Sequence, residues 1–255
     1  ANFERVTTKE ELDLAVSKLG LPIVLKTTRE GYDGKGQAVI KTEADIGLAW
    51  DKLQGTELIA EAFVTFSREL SVIAVRSTSG EINVFPLAEN DHSEGILRVS
   101  RVPAQNLSDE KEQQAKEYIS TLLSELDHVG VLTLELFDTE QGLVANEMAP
   151  RVHNSGHWSM QGAYTCQFEN HVRAICGMPL GSTEMIQPYA AMINIIGKNG
   201  DSEKVLKIPN AHLHMYGKEE RADRKIGHIN LTAKSLDDLE EDIGHLSDFI
   251  LECGR

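Results

Sequence analysis

Two glutamates stand twelve residues apart in apolar surroundings, Glu135 in LTLELF and Glu147 in VANEMA, on either side of Gln141-Gly142. A tight turn there makes the segment a hairpin and can set the two positions side by side on neighbouring strands. Carboxylates so placed repel each other and are costly to bury. A hard divalent cation resolves both problems, and Mg²⁺ accepts oxygen ligands together with substrate phosphates. Asn146 can add a further oxygen. The alternative is a pair of solvent-facing glutamates on a sheet edge.

Just downstream, PRVHNSGHW crowds Arg151, His153, Asn154, Ser155 and His157 together. Arginine grips a carboxylate or phosphate with two parallel hydrogen bonds, and histidine binds polar groups or shuttles protons. Two histidines four apart plus a glutamate also make an acceptable zinc set. Pro150 and Gly156 argue against the helical spacing that a zinc hydrolase uses. Further on, HMYGKEERADRKIGH places Lys218, Arg221, Arg224 and Lys225 together in a chain of net charge −15. That local reversal of sign suits a monophosphate pocket, the alternative being a solvated loop.

Near the N-terminal end, REGYDGKGQ holds three glycines in six residues, with Tyr32, Asp33 and Lys35 between them and Lys26 on the strand before. Glycine lets backbone N–H groups approach a phosphate closely. The spacing is neither that of a P-loop nor that of a dinucleotide fingerprint, and taken alone such a loop is more often a turn. In ELIAEAFVTFSREL, Glu61 and Glu69 flank an apolar backbone stretch of the kind that reads an adenine edge. Equally, it is a strand with exposed acids.

The elements that must carry these groups alternate between the two periodicities. Helices are expected at about 9–19 capped by Thr7 or Thr8, over 42–53 capped by Thr42, at 109–126, over NHVRAICG, and at the end from Ser235. Strands are expected at LPIVLKT, QAVIK, ELIAEAFV, RELSVIAVRSTSG paired with INVFPLAEN around Gly80, the hairpin carrying Glu135 and Glu147, AMINIIG, KIPNAHLHMYGK and KIGHINLTAKS. The class is α+β with antiparallel-rich sheets.

Composition bounds the function. At 255 residues, with 41% hydrophobic and 25% charged, the chain can bury a sizeable core. The acidic balance excludes non-specific binding to nucleic acid or an anionic membrane. Cys166, Cys176 and Cys253 form no CxxC pair, which favours a reducing, cytoplasmic setting. No apolar run reaches the length of a membrane span, and no signal peptide opens the chain. It starts without Met and enters a helix directly, as a piece of a longer protein does.

Taken together, VLKTTREGYDGKGQ, AEAFVTFSRELSV, NDHSEGIL, LTLELF, NEMAPRVHNSGHW and HMYGKEERADRKIGHIN resemble the ATP-grasp superfamily and, within it, the N5-carboxyaminoimidazole ribonucleotide synthase family. The motifs follow family order from about Leu21 to Asn230. The resemblance implies an ATP-grasp fold with a mobile lid subdomain (1–65), a core subdomain (66–180) and a small β-rich C-terminal domain (181–255). The family's N-terminal α/β domain is not expected in this chain. The implied activity is ATP-dependent carboxylation of 5-aminoimidazole ribonucleotide with bicarbonate, through carboxyphosphate, in purine biosynthesis.

In that reading Lys26 touches the nucleotide phosphates, and Gly31, Gly34, Lys35, Gly36 and Gln37 belong to the flap over them. Glu61, Phe63 and Val64 hold adenine, Glu69 the ribose, and His92 contacts the nucleotide. Glu135 and Glu147 hold Mg²⁺, with Asn146 beside them. Arg151, His153, Asn154 and His157 line the bicarbonate and aminoimidazole side, while Lys218 and Arg224 bind the ribonucleotide phosphate. Tyr32, Asp33 and Lys35 close over the reacting centre with Arg151, and Asp33 or a phosphate oxygen takes the amine proton. The resemblance also implies a homodimer acting on small molecules. Competing readings are another ATP-grasp enzyme (a formate-dependent glycinamide ribonucleotide transformylase or a biotin carboxylase), a non-catalytic nucleotide-binding module, and a zinc hydrolase.

Overall fold

The computed structural model describes residues 1–29, 31 and 36–251. They fall into two compact units, one of residues 1–66 with 94–96, the other of the remainder.

In the first unit, β1 (Phe3–Val6), β2 (Ile23–Thr27), β3 (Gln37–Ile40) and β4 (Leu58–Ala62) form an antiparallel sheet in the order β1-β4-β2-β3. Helices α1 (Lys9–Leu19) and α2 (Asp45–Leu53) bury Leu12, Ala15, Ala49 and Leu53 in one core with Ile23, Leu25, Leu58 and Ala60. Thr8 starts α1 through a capping box with Glu11, as its sequence signals. Thr42 does not cap α2. The helix begins after Ala44, and the Asp45 carboxylate instead accepts from the Thr42 N–H (2.8 Å) and hydroxyl (3.0 Å). The Asp45 carboxylate thus ties down the chain entering the helix, and no side chain caps the helix itself.

The second unit is built on a nine-stranded antiparallel sheet. Its strands are β5 (Arg68–Arg76), β6 (Ile82–Val84), β7 (Ala88–Ser93), β8 (Ile96–Val102), β9 (Gly130–Thr139), β10 (Gly142–Ala149), β11 (Tyr189–Ile196), β12 (Ala211–Met215) and β13 (Lys225–Ala233). They lie in the order β10-β9-β5-β7-β8-β11-β13-β12, with β6 on β5. Residues on either side of position 180 therefore share one sheet. The β7–β8 hairpin turns at Glu94-Gly95, both with positive φ, and β8 is a strand the hydrophobic pattern alone did not separate.

Strand alternation sends two residue sets to opposite faces. One face is apolar. Leu70, Val72, Leu132, Leu134 and Leu136 pack under α3 (Asp109–Glu125), which Ser108 caps. Ile193, Ile195, Ile229 and Leu231 pack with α6 (Ser202–Leu206), α7 (Leu236–His245) and α8 (Ser247–Leu251). The other face carries α4 (Ser159–Gly162), α5 (Gln167–Ile175) and the buried Trp158, which meets Phe85 edge-on at 6.2 Å. It is also where the strands place their polar residues.

Candidate functional site

The hairpin β9–β10 does what its sequence predicts, with one device added. Its register runs Ala145 opposite Leu136, then Glu147 opposite Glu135, so Asn146 is an extra, bulged residue. Without that bulge Glu147 would face Leu134. The bulge brings two carboxylates onto one face, directly opposite, where like charges destabilise a sheet.

Burial and then the Glu147 charge push Glu135 up to about 7. Oxygens of Glu135 and Glu147 and a nitrogen of His153 all lie within 4.8 Å of one another. A pair of hard oxygen donors, one largely enclosed with its pKa so displaced and the other open to solvent, fits a divalent cation of the Mg²⁺ kind.

His153 stands beside this pair. Its Nδ1 accepts from the Ser155 N–H at 3.4 Å and lies 2.9 Å from Ser155 Oγ. Behind Ser155 runs a buried relay. Ser71 Oγ donates to Ser155 Oγ (2.8 Å), Asn90 Nδ2 to Ser71 Oγ (3.1 Å), and Ser100 Oγ to Asn90 Oδ1 (2.7 Å). A backbone N–H can only donate, so Nδ1 is an acceptor and the ring proton sits on Nε2. That atom is 3.4 Å from Glu135 Oε1. Burial, then Arg151, takes His153 down to about 3, so the ring is neutral. A neutral ring with its proton on Nε2 turns an N–H, not a lone pair, towards the Glu135 carboxylate. His157, the other histidine of the zinc reading, lies outside this group.

Beside the pair, His92 Nδ1 lies 3.3 Å from Glu69 Oε2. Burial pulls His92 down, but the Glu69 carboxylate outweighs it and holds the imidazole above its ordinary value. Asn154 is engaged within the fold. Its amide exchanges two hydrogen bonds with the buried Asn194 (2.9 and 2.6 Å). Arg151 is exposed and donates to the Val152 carbonyl at 3.0 Å.

His157 opens a second polar group on the same sheet face. Its ring centre is 4.9 Å from His228, whose ring stacks on His214 at 4.4 Å. The Tyr216 hydroxyl meets His228 Nδ1 at 2.7 Å, and Lys218 Nζ sits 5.1 Å over the Tyr216 ring. Arg224 Nη1 donates to the Glu219 carbonyl at 3.4 Å within the same β12–β13 connection. His214, Tyr216, His228 and Asn230 were not singled out from the sequence. The signal was the alternation of polar residues in AHLHMY and KIGHIN, two strands whose inward face is polar. Lys225, at the start of β13, acts electrostatically on Glu135, His92, His153 and His157.

These histidines make the unit acid-sensitive. Burial is the first cause of depression in each, taking His153 and His228 to about 3 and His157 to about 4. Their folded values lie below the unfolded value of about 6.5, so the unfolded chain binds more protons in between. Stability is present in full above about pH 6.5 and is lost as pH falls towards 4 and 3. Glu135 and His92, both held above their ordinary values, oppose this in metal-free protein, while His171 and His214, also depressed first by burial, add to it. The melting temperature at pH 5 is expected to lie roughly 10 °C below that at pH 7.5. A flat profile in a thermal-shift titration contradicts these burials.

Gly156 is fixed by packing. A Cβ there would lie 2.5 Å from both Gln167 Oε1 and Ile73 Cδ1. Gly156→Ala is expected to cost about 2 kcal/mol, seen as a melting temperature lowered by about 5 °C.

In the first unit, the Lys26 ammonium pairs with Glu61 at 2.8 Å. They sit on adjacent strands, Lys26 opposite Ile59 and Val24 opposite Glu61. Phe63 is 48% exposed just past β4, its N–H donating to the Pro22 carbonyl at 3.3 Å, and Val64 is half-buried. Gly36 has φ +80°, and a Cβ there would lie 2.7 Å from Thr27 Oγ1. Gln37 pairs with Lys26 across the β2–β3 ladder, and Gly31 is described. Tyr32, Asp33, Gly34 and Lys35 lie outside the described residues.

Two family models match the chain, the ATP-grasp domain over residues 1–168 and the phosphoribosylaminoimidazole carboxylase C-terminal domain over residues 190–242. Together with the antiparallel sheets and the paired glutamates they define an ATP-grasp ligase. An N5-carboxyaminoimidazole ribonucleotide synthase of Vibrio vulnificus is 43% identical over 99% of this chain and 68% of its own length. The crystal structure of the Thermus thermophilus synthetase matches with TM-score 0.90 at 46% identity, covering 98% of this chain and 67% of that one. An Aspergillus clavatus synthase, in complex with ADP and 5-aminoimidazole ribonucleotide, matches with TM-score 0.89 at 32% identity over 98% of this chain and 68% of that one. The chain belongs to the N5-carboxyaminoimidazole ribonucleotide synthase family, ATP-dependent ligases of purine biosynthesis. It spans about two thirds of the length of these relatives.

Proposed function

We propose that the chain runs this family's reaction, carboxylation of 5-aminoimidazole ribonucleotide at its exocyclic amine with ATP and bicarbonate, with Glu135 and Glu147 as its Mg²⁺ ligands. The observation that carries the assignment is the bulge at Asn146, which places the exposed Glu147 opposite the largely enclosed Glu135. Mg²⁺, when bound, neutralises charge that develops on the nucleotide phosphates. Asn146, the bulged residue next to Glu147, offers a further oxygen beside the pair. Lys26 meets the phosphates, Glu61, Phe63 and Val64 the adenine, and Glu69 with His92 the nucleotide's sugar side.

A bicarbonate oxygen attacks the γ-phosphorus and the bond to the bridging oxygen of ADP breaks. The resulting carboxyphosphate splits into phosphate and CO₂. The amine of the ribonucleotide then attacks CO₂, its proton passes to the phosphate, and the carbamate forms. Arg151, His153 and His157 stand on the acceptor side, and Lys218 and Arg224 hold the ribonucleotide phosphate. The family resemblance supports a homodimer in the cytoplasm. Among the described residues no helix is long and apolar enough to cross a membrane.

The test is ADP release by the intact protein with ATP, Mg²⁺ and bicarbonate, with and without 5-aminoimidazole ribonucleotide. Strong stimulation by the ribonucleotide is expected. Its absence in a folded protein that binds ATP overturns the acceptor assignment.

A further inference from the structure

We propose that Gln167 is a positioning residue that fixes the imidazole of His157 in one tautomer, with Nδ1 as acceptor and the proton on Nε2, so that His157 meets substrate only as a hydrogen-bond donor.

The geometry leaves the amide of Gln167 one orientation. Its Oε1 accepts from the backbone N–H of His153 at 2.9 Å, and its Nε2 donates to the backbone carbonyl of the same residue at 2.7 Å. A backbone N–H only donates and a carbonyl only accepts, so oxygen and nitrogen cannot be exchanged. The second hydrogen of Nε2 is then aimed at His157 Nδ1, 3.0 Å away. An amide N–H can bond to that nitrogen only through its lone pair, which puts the ring proton on Nε2.

Gln167 is held rigidly enough to dictate this. It is fully buried at the first position of α5, and its own N–H donates to Ser159 Oγ at 3.1 Å. Gly156 leaves it room, since any Cβ there would strike Oε1. One side chain thus ties down the backbone of His153 and the ring of His157, on a sequence stretch that contains no regular element longer than a single turn.

The consequence for chemistry rests on the function proposed above. A neutral imidazole with Nδ1 occupied has no basic nitrogen to offer. Its Nε2–H suits an anionic oxygen, as bicarbonate, the carbamate and the ribonucleotide phosphate all provide. His157 is therefore assigned to binding and orientation, and proton acceptance is left to another group.

The test is ¹⁵N NMR of the histidine rings in the intact protein, with the His157 signals assigned by their loss in His157→Gln. Wild type is expected to show a protonated Nε2 and an unprotonated Nδ1. Gln167→Glu keeps the shape and the acceptor for the His153 N–H and, once its carboxyl is ionised, has no donor, so at a pH above that ionisation His157 is expected to acquire a proton on Nδ1. The same variant is expected to raise KM for 5-aminoimidazole ribonucleotide about tenfold while leaving KM for ATP within about twofold. A wild-type ring protonated on Nδ1 overturns the proposal, and that reading needs no variant to fold. So does a Gln167→Glu protein whose His157 keeps the wild-type tautomer. If the ribonucleotide proves not to be the acceptor, the ring measurement still decides the role of Gln167.

Discussion

Glu147→Gln is expected to lower kcat/KM by about three orders of magnitude, with Glu135→Gln at least as severe. Each amide keeps the shape of the carboxylate and removes the charge that holds a hard cation. The two variants should part company in stability. Glu135 is pushed up to about 7, first by burial and then by Glu147. Its folded value lies above the unfolded one, so the folded state favours the protonated form. The cost of ionising it is absent below about pH 4.5, grows as pH rises, and is complete above about 7. In EDTA at pH 8, Glu135→Gln should therefore melt above wild type, by an amount corresponding to about 3 kcal/mol. Glu147→Gln removes only the smaller of the two causes and should gain less. Saturating Mg²⁺ should reverse the order, stabilising wild type but neither variant. Full activity in Glu147→Gln, or a Glu135→Gln protein less stable than wild type in EDTA, contradicts a cation site at this pair.

Lys218→Met is expected to raise KM for 5-aminoimidazole ribonucleotide about a hundredfold, since a charge-assisted bond to phosphate is worth about 1.5–3 kcal/mol. Lys218 is exposed but not loosely placed. Its Nζ lies over Tyr216, within 3.5 Å of the Lys225 carbonyl, and Tyr216 is bonded in turn to His228. Steady-state rates at varied ribonucleotide and varied ATP separate the effects, because loss of the phosphate contact leaves KM for ATP nearly unchanged. Lys218→Arg should recover part of the affinity, the charge being kept and the point geometry lost. Lys207→Met, whose ammonium pairs with Glu203 on the exposed α6, serves as the control. Equal loss for both substrates would move Lys218 out of the acceptor site.

What could be read from the sequence was what local chemistry determines. The α1 cap, the strand pairs and the β9–β10 hairpin follow from periodicity and turn residues, and the two glutamates stood out because apolar strands should not contain them. The bulge at Asn146 could not be read. Turn spacing alone would pair Asn146 with Glu135, and only the need to bring two charges together around a cation favours the extra residue. Thr42 misled because its N–H and hydroxyl are both taken up by the Asp45 carboxylate and the helix starts later, after Ala44, with no side-chain cap. The polar face of the sheet was hidden for another reason. Ser71, Asn90, Ser100, Asn194, His228 and Asn230 lie on five different strands, and each alone passes for an ordinary polar residue. Their partnership exists only once the antiparallel register is fixed, and Gln167 joins them from a helix whose pattern announces only its apolar residues.

The central claim, that bicarbonate is activated by the γ-phosphate and delivered to the amine of the ribonucleotide, is tested most directly by following isotope from ¹³C,¹⁸O-bicarbonate. The intact protein is incubated with ATP, Mg²⁺ and 5-aminoimidazole ribonucleotide, and the products are read by ¹³C and ³¹P NMR. Attack through a bicarbonate oxygen predicts one ¹⁸O in the released phosphate and the ¹³C in a carbamate on the exocyclic nitrogen. Phosphate that carries no label while ADP is still released means that water, not bicarbonate, meets the γ-phosphorus, and contradicts the account.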